Sequence, residues 1–576
     1  MKTFKKWIRR SVLASCLTLT AFAFAASAAE SQTVAVVSIA DLNSVIQSLK
    51  NATTQAGYPD AMAQVEIYLA MLQGLETQQP IGIVVQADET SVGGYAFLPI
   101  ANVSATPLAD LVEKGEKQKD GSILLPLDEL EELDGIASFV PQLYIKQASK
   151  WLFVSVNELP AKLPTNPSKL LEGLNKQYII SVKVNVNNLP KELTATGLAL
   201  LRNLAEDQAE TESDIEALDS RFAQIETILE ELKSFVFGIA VSPENDIVIE
   251  TVTEAAPDTT LSEDIAASAN AKTHWSGFYQ PQNTIFAAIH SGVLNAHTKT
   301  SLQTQIKSFF EGVREKIEEG DYEIDFEIDA ALAALDNLQA VIDRTVKYGK
   351  LDFAATWKAD GTFLTGLSIS NGKQLQTALK NIVDAIPEEF QQYIKLNDSK
   401  RGDYSVSTVV VPISAWLDDE DLPKLAEKTL RLSIAIKTNA LALALGLTDT
   451  VSDDLKKAID ASQTAAPLLA TRFVTTLGNV ENVFHLFFGE ENSDNEQDQQ
   501  MKEFWVSIPK DAQITFTVNS EGNAERNKIV VNNKLLPGFG KLVGAISTLF
   551  GVGNPMQSDD EFDIEVEELE EENAPE

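Results

Sequence analysis

A single cysteine, Cys16, stands in this chain of 576 residues, and it lies near the N-terminus. Its isolation excludes a disulfide framework, thiol catalysis and Cys-ligated zinc in the remainder of the chain. A chain of this length buries enough apolar surface to fold without cross-links. Histidine is scarce too. His274, His290, His297 and His485 are the four present, and the first three fall within 24 residues of one another. Zinc ligands recur at fixed short spacings such as i and i+4, which His290 and His297 do not satisfy, and the neighbouring Trp275 and Phe278 point to packing instead.

The motifs of common enzyme classes are also missing. There is no Gly-x-Ser-x-Gly, no His-Glu-x-x-His and no phosphate loop. Ser370-Asn371-Gly372-Lys373 and Ser493-Asp494-Asn495 imitate two elements of the penicillin-recognising serine enzymes, but the third, Lys-Thr-Gly, is absent. Asn492, Asp494, Glu496 and Glu503 resemble a calcium loop, except that Gln497 occupies the position where such a loop turns on glycine. Arg401-Gly402-Asp403 reads as an ordinary turn. Carboxylates are so abundant that no Asp or Glu pair stands out as a hydrolytic dyad. No catalytic, cofactor-binding or metal-binding residue is therefore assigned, and no cofactor is expected.

What the chain does have is negative charge. Its formal charge is −38, with 84 acidic residues against 46 lysines and arginines. Such a surface repels nucleic acid and anionic lipid and favours solubility, with cations or a basic protein as the partners it would attract.

The N-terminus carries Lys2, Lys5, Lys6, Arg9 and Arg10, then an apolar run from Val12 to Ala26, then Ala26-Ser27-Ala28. Positive charge, a short apolar stretch and a small-x-small site in that order define a cleavable secretory signal peptide over residues 1–28. Cleavage after Ala28 would discard Cys16, and with it the lipoprotein-box look of Leu13-Ala14-Ser15-Cys16. The product would keep 548 residues, and losing the five leader cations takes the charge to −43. The expected location is the periplasm or the outside of the cell. No later segment reads as a membrane span. Leu535–Val552 carries Pro537, Lys541 and several glycines, and its apolar residues recur at helical spacing, as in a core-facing helix.

A loose unit recurs six times: apolar strand, polar turn, apolar strand, usually followed by a helix. The paired arms are Ile81–Val85 with Tyr95–Leu98, Leu143–Lys146 with Trp151–Val156, Phe235–Val241 with Ile247–Val252, Leu351–Trp357 with Phe363–Ser370, Leu432–Lys437 with Ala440–Leu445, and Ile514–Val518 with Ile529–Val531. Alternation of apolar and polar residues makes each arm a half-buried strand, and Asn-Asp, Asp-Gly and Glu-Gly turns reverse the chain into antiparallel pairs. Helical stripes at Ile215–Leu232 and at Leu332–Val346 are expected to face a core.

The fold class expected is α+β. It would have two similar halves, each a mainly antiparallel sheet of β-hairpins backed by helices. The first domain would span 29–265 and the second 266–555. An acidic tail, 556–576, would follow, with eleven carboxylates from Asp559 on and no basic residue.

The strand Val34–Ile39 and the helix Asp41–Ile46, with Lys150–Val156 and Thr284–Ile289, resemble large secreted proteins of Gram-negative-type bacteria that carry domains of unknown function. That resemblance implies no activity and no site residue. The expected role is an exported, non-catalytic envelope or extracellular protein that binds or builds. The alternatives are an exported hydrolase with a non-local carboxylate site and a weak cation-binding acidic protein.

Overall fold

The computed structural model describes residues 32–55, 74–89, 91–100, 109–127, 142–206, 212–269, 271–294, 296–319, 327–415, 427–464, 471–479 and 508–537. The leader, including Ala26, Ser27 and Ala28, lies outside these residues, as do His485, the Ser493 and Asn492 patterns and the acidic tail. The body is α+β, and its strands all belong to one antiparallel sheet.

The first ten strands are β1 (Gln32–Ile39), β2 (Ile81–Ala87), β3 (Val92–Pro99), β4 (Glu116–Lys117), β5 (Ile123–Pro126), β6 (Gln142–Ala148), β7 (Trp151–Ser155), β8 (Ile180–Asn185), β9 (Leu232–Val241) and β10 (Ile247–Ala255). The next ten are β11 (Thr284–Val293), β12 (Lys350–Lys358), β13 (Phe363–Ser368), β14 (Ile394–Arg401), β15 (Tyr404–Pro412), β16 (Thr429–Lys437), β17 (Ala440–Gly446), β18 (Thr471–Thr476), β19 (Gln513–Glu521) and β20 (Ala524–Val531). Neighbours run β4-β5-β6-β7-β3-β2-β1-β8-β9-β10, then β20-β19-β18-β11-β12-β13-β17-β16-β15-β14, and every pairing is antiparallel.

All six sequence-predicted hairpins form: β2–β3, β6–β7, β9–β10, β12–β13, β16–β17 and β19–β20. Burial goes further than half in places. All five residues of β7 are buried. The reason is that alternate side chains feed two cores. Phe97, Trp151, Phe153 and Leu171 pack on one side, and Leu98, Leu125, Ile145, Leu152 and Val154 on the other. The later strands are also covered twice. Ile289, Ala354 and Leu364 meet Trp275, Phe278 and the helix Val451–Thr464. Ile434 and Ile436 meet Val341 of the helix Ile328–Tyr348 and Leu375 of the helix Gly372–Ala385.

One helical stripe departs from expectation. The helix Glu212–Glu231 forms, but Ile225 and Ile228 are exposed. The helix before it, Lys191–Glu206, has no buried residue, and its Leu200, Leu201 and Leu204 are 62%, 57% and 55% exposed. Apolar spacing marks a face but does not supply a surface to cover it.

The first ten strands meet the last ten where β10 pairs with β20. Glu250 of β10 is buried there. It accepts the Tyr178 hydroxyl and pairs with Arg526 of β20. Tyr178 lies flat across Gly238, where an added Cβ would strike its ring, and Gly238 is the residue opposite Glu250 in the register. Burial and then the nearby Glu250 carboxylate push the Tyr178 hydroxyl up to about 12, so it remains a donor.

Candidate functional site

A polar cleft of about 600 Å³ opens at one end of β2, β3, β5 and β6. Its floor is the β2–β3 pair, where Gln86 stands opposite Gly93 and Val85 opposite Gly94. Gly94 is there for space, because a Cβ would collide with the carbonyl oxygen of Val84. The Gly94 carbonyl accepts the Ser155 hydroxyl at 2.8 Å, and the same oxygen of Ser155 accepts the Asn157 backbone N–H at 3.0 Å. This chain of bonds fixes the start of the 157–161 wall, which contributes Asn157, Glu158, Leu159, Pro160 and Ala161.

The opposite wall is the turn from Gln118 to Ser122 that joins β4 to β5. Gln118 N–H donates to the Ser122 carbonyl at 2.8 Å, and Gly121 supplies the positive φ of 82° that closes the turn. Asp120 locks it from within, accepting the Ser122 amide at 3.0 Å and the Ser122 hydroxyl at 2.6 Å. Lys146 donates to the Asp120 carbonyl at 2.7 Å and to its carboxylate at 3.2 Å. The Ser122 bonds, helped by Lys146, pull the Asp120 carboxyl down to about 2. Tyr144 of β6 completes the lining.

Chemically the cleft offers amides (Gln86, Gln118, Asn157), one aromatic ring, one lysine (Lys119) and two carboxylates, beside an apolar strip of Leu159 to Ala161. It holds no histidine or cysteine, and its one serine hydroxyl is already donated to Asp120. Asp120 is held ionised, the reverse of what a general acid needs. Asn157 is the exception to a well-satisfied wall: its Nδ2 is buried and has no hydrogen-bond partner among the described residues. A buried amide nitrogen left without an acceptor costs on the order of 1–3 kcal/mol.

The residues weighed from sequence fall elsewhere. His274 lies on the stretch that leads into the second core, where its amide meets Asp352 at 3.2 Å. His290 faces Thr471, Nδ1 to Oγ1 at 2.7 Å. Among the described residues no group of three metal-ligating side chains occurs. Ser370 and Asn371 form a strand-to-helix junction. Asn371, at φ 78°, caps the helix Gly372–Ala385 by accepting the Gln374 amide. Arg401-Gly402-Asp403 is the β14–β15 turn, with Arg401 paired to Asp460. Trp275 and Phe278 are buried side chains of the second core, and Trp275 lies over Gly366. No helix among the described residues is long and apolar enough to cross a membrane.

The cleft was missed in the sequence because its parts are far apart. The closest signal was Pro160, Pro164 and Pro167, which forbid a regular helix after β7. No protein-family model, no curated protein and no solved structure matches the chain.

Proposed function

We propose that this is an exported, non-catalytic binding protein whose cleft takes a sugar-sized polyhydroxylated ligand. The observation that carries the reading is a cleft of about 600 Å³ lined by three amides, two carboxylates and Tyr144. Amides and carboxylates side by side supply both donors and acceptors, which hydroxyl groups require, and Tyr144 supplies a flat apolar surface. In the hydrolase alternative the ionised Asp120 could serve as base or nucleophile but not as the general acid.

Export rests on the 1–28 leader pattern. Mass spectrometry of the chain recovered from cell fractions tests it, since an N-terminus at Ala29 outside the cytoplasm is expected and an intact leader on cytoplasmic protein overturns it. In this reading the chain is also two copies of one α+β unit. What supports that is the strand order. Outward from the β10–β20 pair, each strand of the first set is met by the strand numbered ten higher in the second.

Ligand binding is tested by thermal melting of the purified chain with glucose, N-acetylglucosamine and their short oligomers. A saturable rise in melting temperature is expected, lost in Asn157→Ala and Gln118→Ala. No saturable rise with any of them, or a rise that both variants retain, overturns the proposal.

A further inference from the structure

A second cavity, of about 400 Å³, opens at the ends of β11, β18, β19 and β20 beneath the helix Thr260–Ala269. Its polar lining comes chiefly from His290, Ser291, Thr471, Asn519, Ser520 and Glu525. No lysine or arginine is among the residues that line it. The last two residues of the helix, Ser268 and Ala269, also face it, so the partial negative charge of a helix C-terminus is directed there.

Behind this lining lies an unusual buried pair. Ser291 and Asp352 are directly opposite in the β11–β12 register, so their side chains share one face of the sheet. Asp352 is 0% exposed and Ser291 5% exposed. Asp352 Oδ2 accepts the His274 amide at 3.2 Å and the Ser368 hydroxyl at 3.3 Å, and Ser368 in turn accepts Trp275 Nε1 at 3.2 Å. Among the described residues Asp352 Oδ1 has no hydrogen-bond partner, and neither has Ser291 Oγ, although both atoms are buried. A carboxylate held in the interior by neutral donors alone, with one oxygen open, is costly and calls for a cation.

We propose that this cavity binds a small organic cation with a primary ammonium head. Glu525, on the lining, receives the N–H donors, and the buried Asp352 carboxylate behind Ser291 adds its negative charge from within the wall. Glu525 is oriented for this by Asn527, whose amide reaches its Oε1 at 3.2 Å. The imidazole of His290 is pinned by Thr471, and burial holds it below the ordinary histidine range, so it does not supply the missing positive charge itself.

The test is calorimetric titration of the purified chain with butylammonium and putrescine, with 1-butanol and tetramethylammonium as controls. Saturable binding of the two primary amines is expected, with none for the alcohol and much weaker binding for tetramethylammonium, which has no N–H. Glu525→Gln should weaken binding about tenfold or more and Asp352→Asn several-fold, while the melting temperature stays close to that of the parent. Histidine NMR should show the His290 ring shifting with ligand. Absence of saturable amine binding, equal binding of tetramethylammonium, or binding unchanged in both variants overturns the proposal. Asn157→Ala should leave amine binding unchanged, so failure here and failure of the cleft reading are separate results.

Discussion

The β2–β3 turn and the β12–β13 turn differ in what surrounds them. Between β2, β3, β5 and β6 there is a cleft. Around the ends of β12, β13 and β15, side-chain pairs bridge neighbouring elements. Lys358, at the end of β12, reaches Asp454 at 3.0 Å, Thr362 meets Thr448 at 3.5 Å, and Arg401 pairs with Asp460. The difference traces to the segments that follow β7 and β17. After β7 come Pro160, Pro164 and Pro167, and the chain gathers only into the short 3-10 turn Pro167–Leu171. From the end of β17 to the end of the next helix there is no proline, Asp453 and Asp454 lie in the first turn, and that helix of 14 residues runs from Val451 to Thr464. Acidic residues favour a helix N-terminus, whereas proline is excluded from a helix interior. Prolines after β7 and acidic residues after β17 thus give a short turn in one place and a helix in the other.

Four substitutions probe that contrast, in descending order of effect. Leu455→Ala removes a fully buried side chain from beneath the helix Val451–Thr464. It should cost about 2–5 kcal/mol, read as a lower urea midpoint, and a negligible change would mean that the helix does not pack on the core there. Lys358→Met leaves the Asp454 carboxylate without its closest cation in a largely buried setting, where the pair is 20% and 14% exposed. A loss of about 2 kcal/mol is expected in the same measurement, and none at all would make the pair incidental.

Ser122→Ala acts on the open side. It takes away the hydroxyl bond that leads the lowering of Asp120, so the NMR titration midpoint of that carboxyl should climb from about 2 toward 3.8. Because the folded carboxyl is depressed, its stabilising contribution is present above the unfolded pKa and is lost as pH falls toward 2. The variant should therefore be less sensitive to acid over that window. A midpoint that does not move would place the cause elsewhere. Arg401→Ala is the smallest. Its pair with Asp460 is exposed to solvent, and the urea midpoint should not change measurably. A clear drop would show that the surface pair also helps to hold these elements together.

The local reversals were legible because both arms and the turn are contiguous. Asp360-Gly361 and Gly522-Asn523, for example, sit between arms whose apolar residues alternate. Partners brought from a distance were not. Nothing in Val34–Ile39 announces that β1 lies between β2 and β8, and β18 was overlooked because Thr471–Thr476 is mostly polar. The helix Glu212–Glu231 shows the converse limit, since its periodicity gave the helix correctly but not what it would touch. The cleft combines residues from five separate stretches, and the buried Asp352 looks like any other acid in a chain with 84 of them.

Among the described residues the twenty strands do not close on themselves, so β4 and β14 form the two margins, and a sheet margin invites another chain to add on. Here both are poor templates. β4 is only the pair Glu116–Lys117, both exposed. β14 carries Lys395, Asp398, Lys400 and Arg401, and its ladder is broken between Lys395 and Ser399, where Asn397 takes a φ of 53°. Brevity at one rim and charge with a bulge at the other are the usual defences against edge-to-edge polymerisation. Addition of another chain is thereby disfavoured at both of these rims.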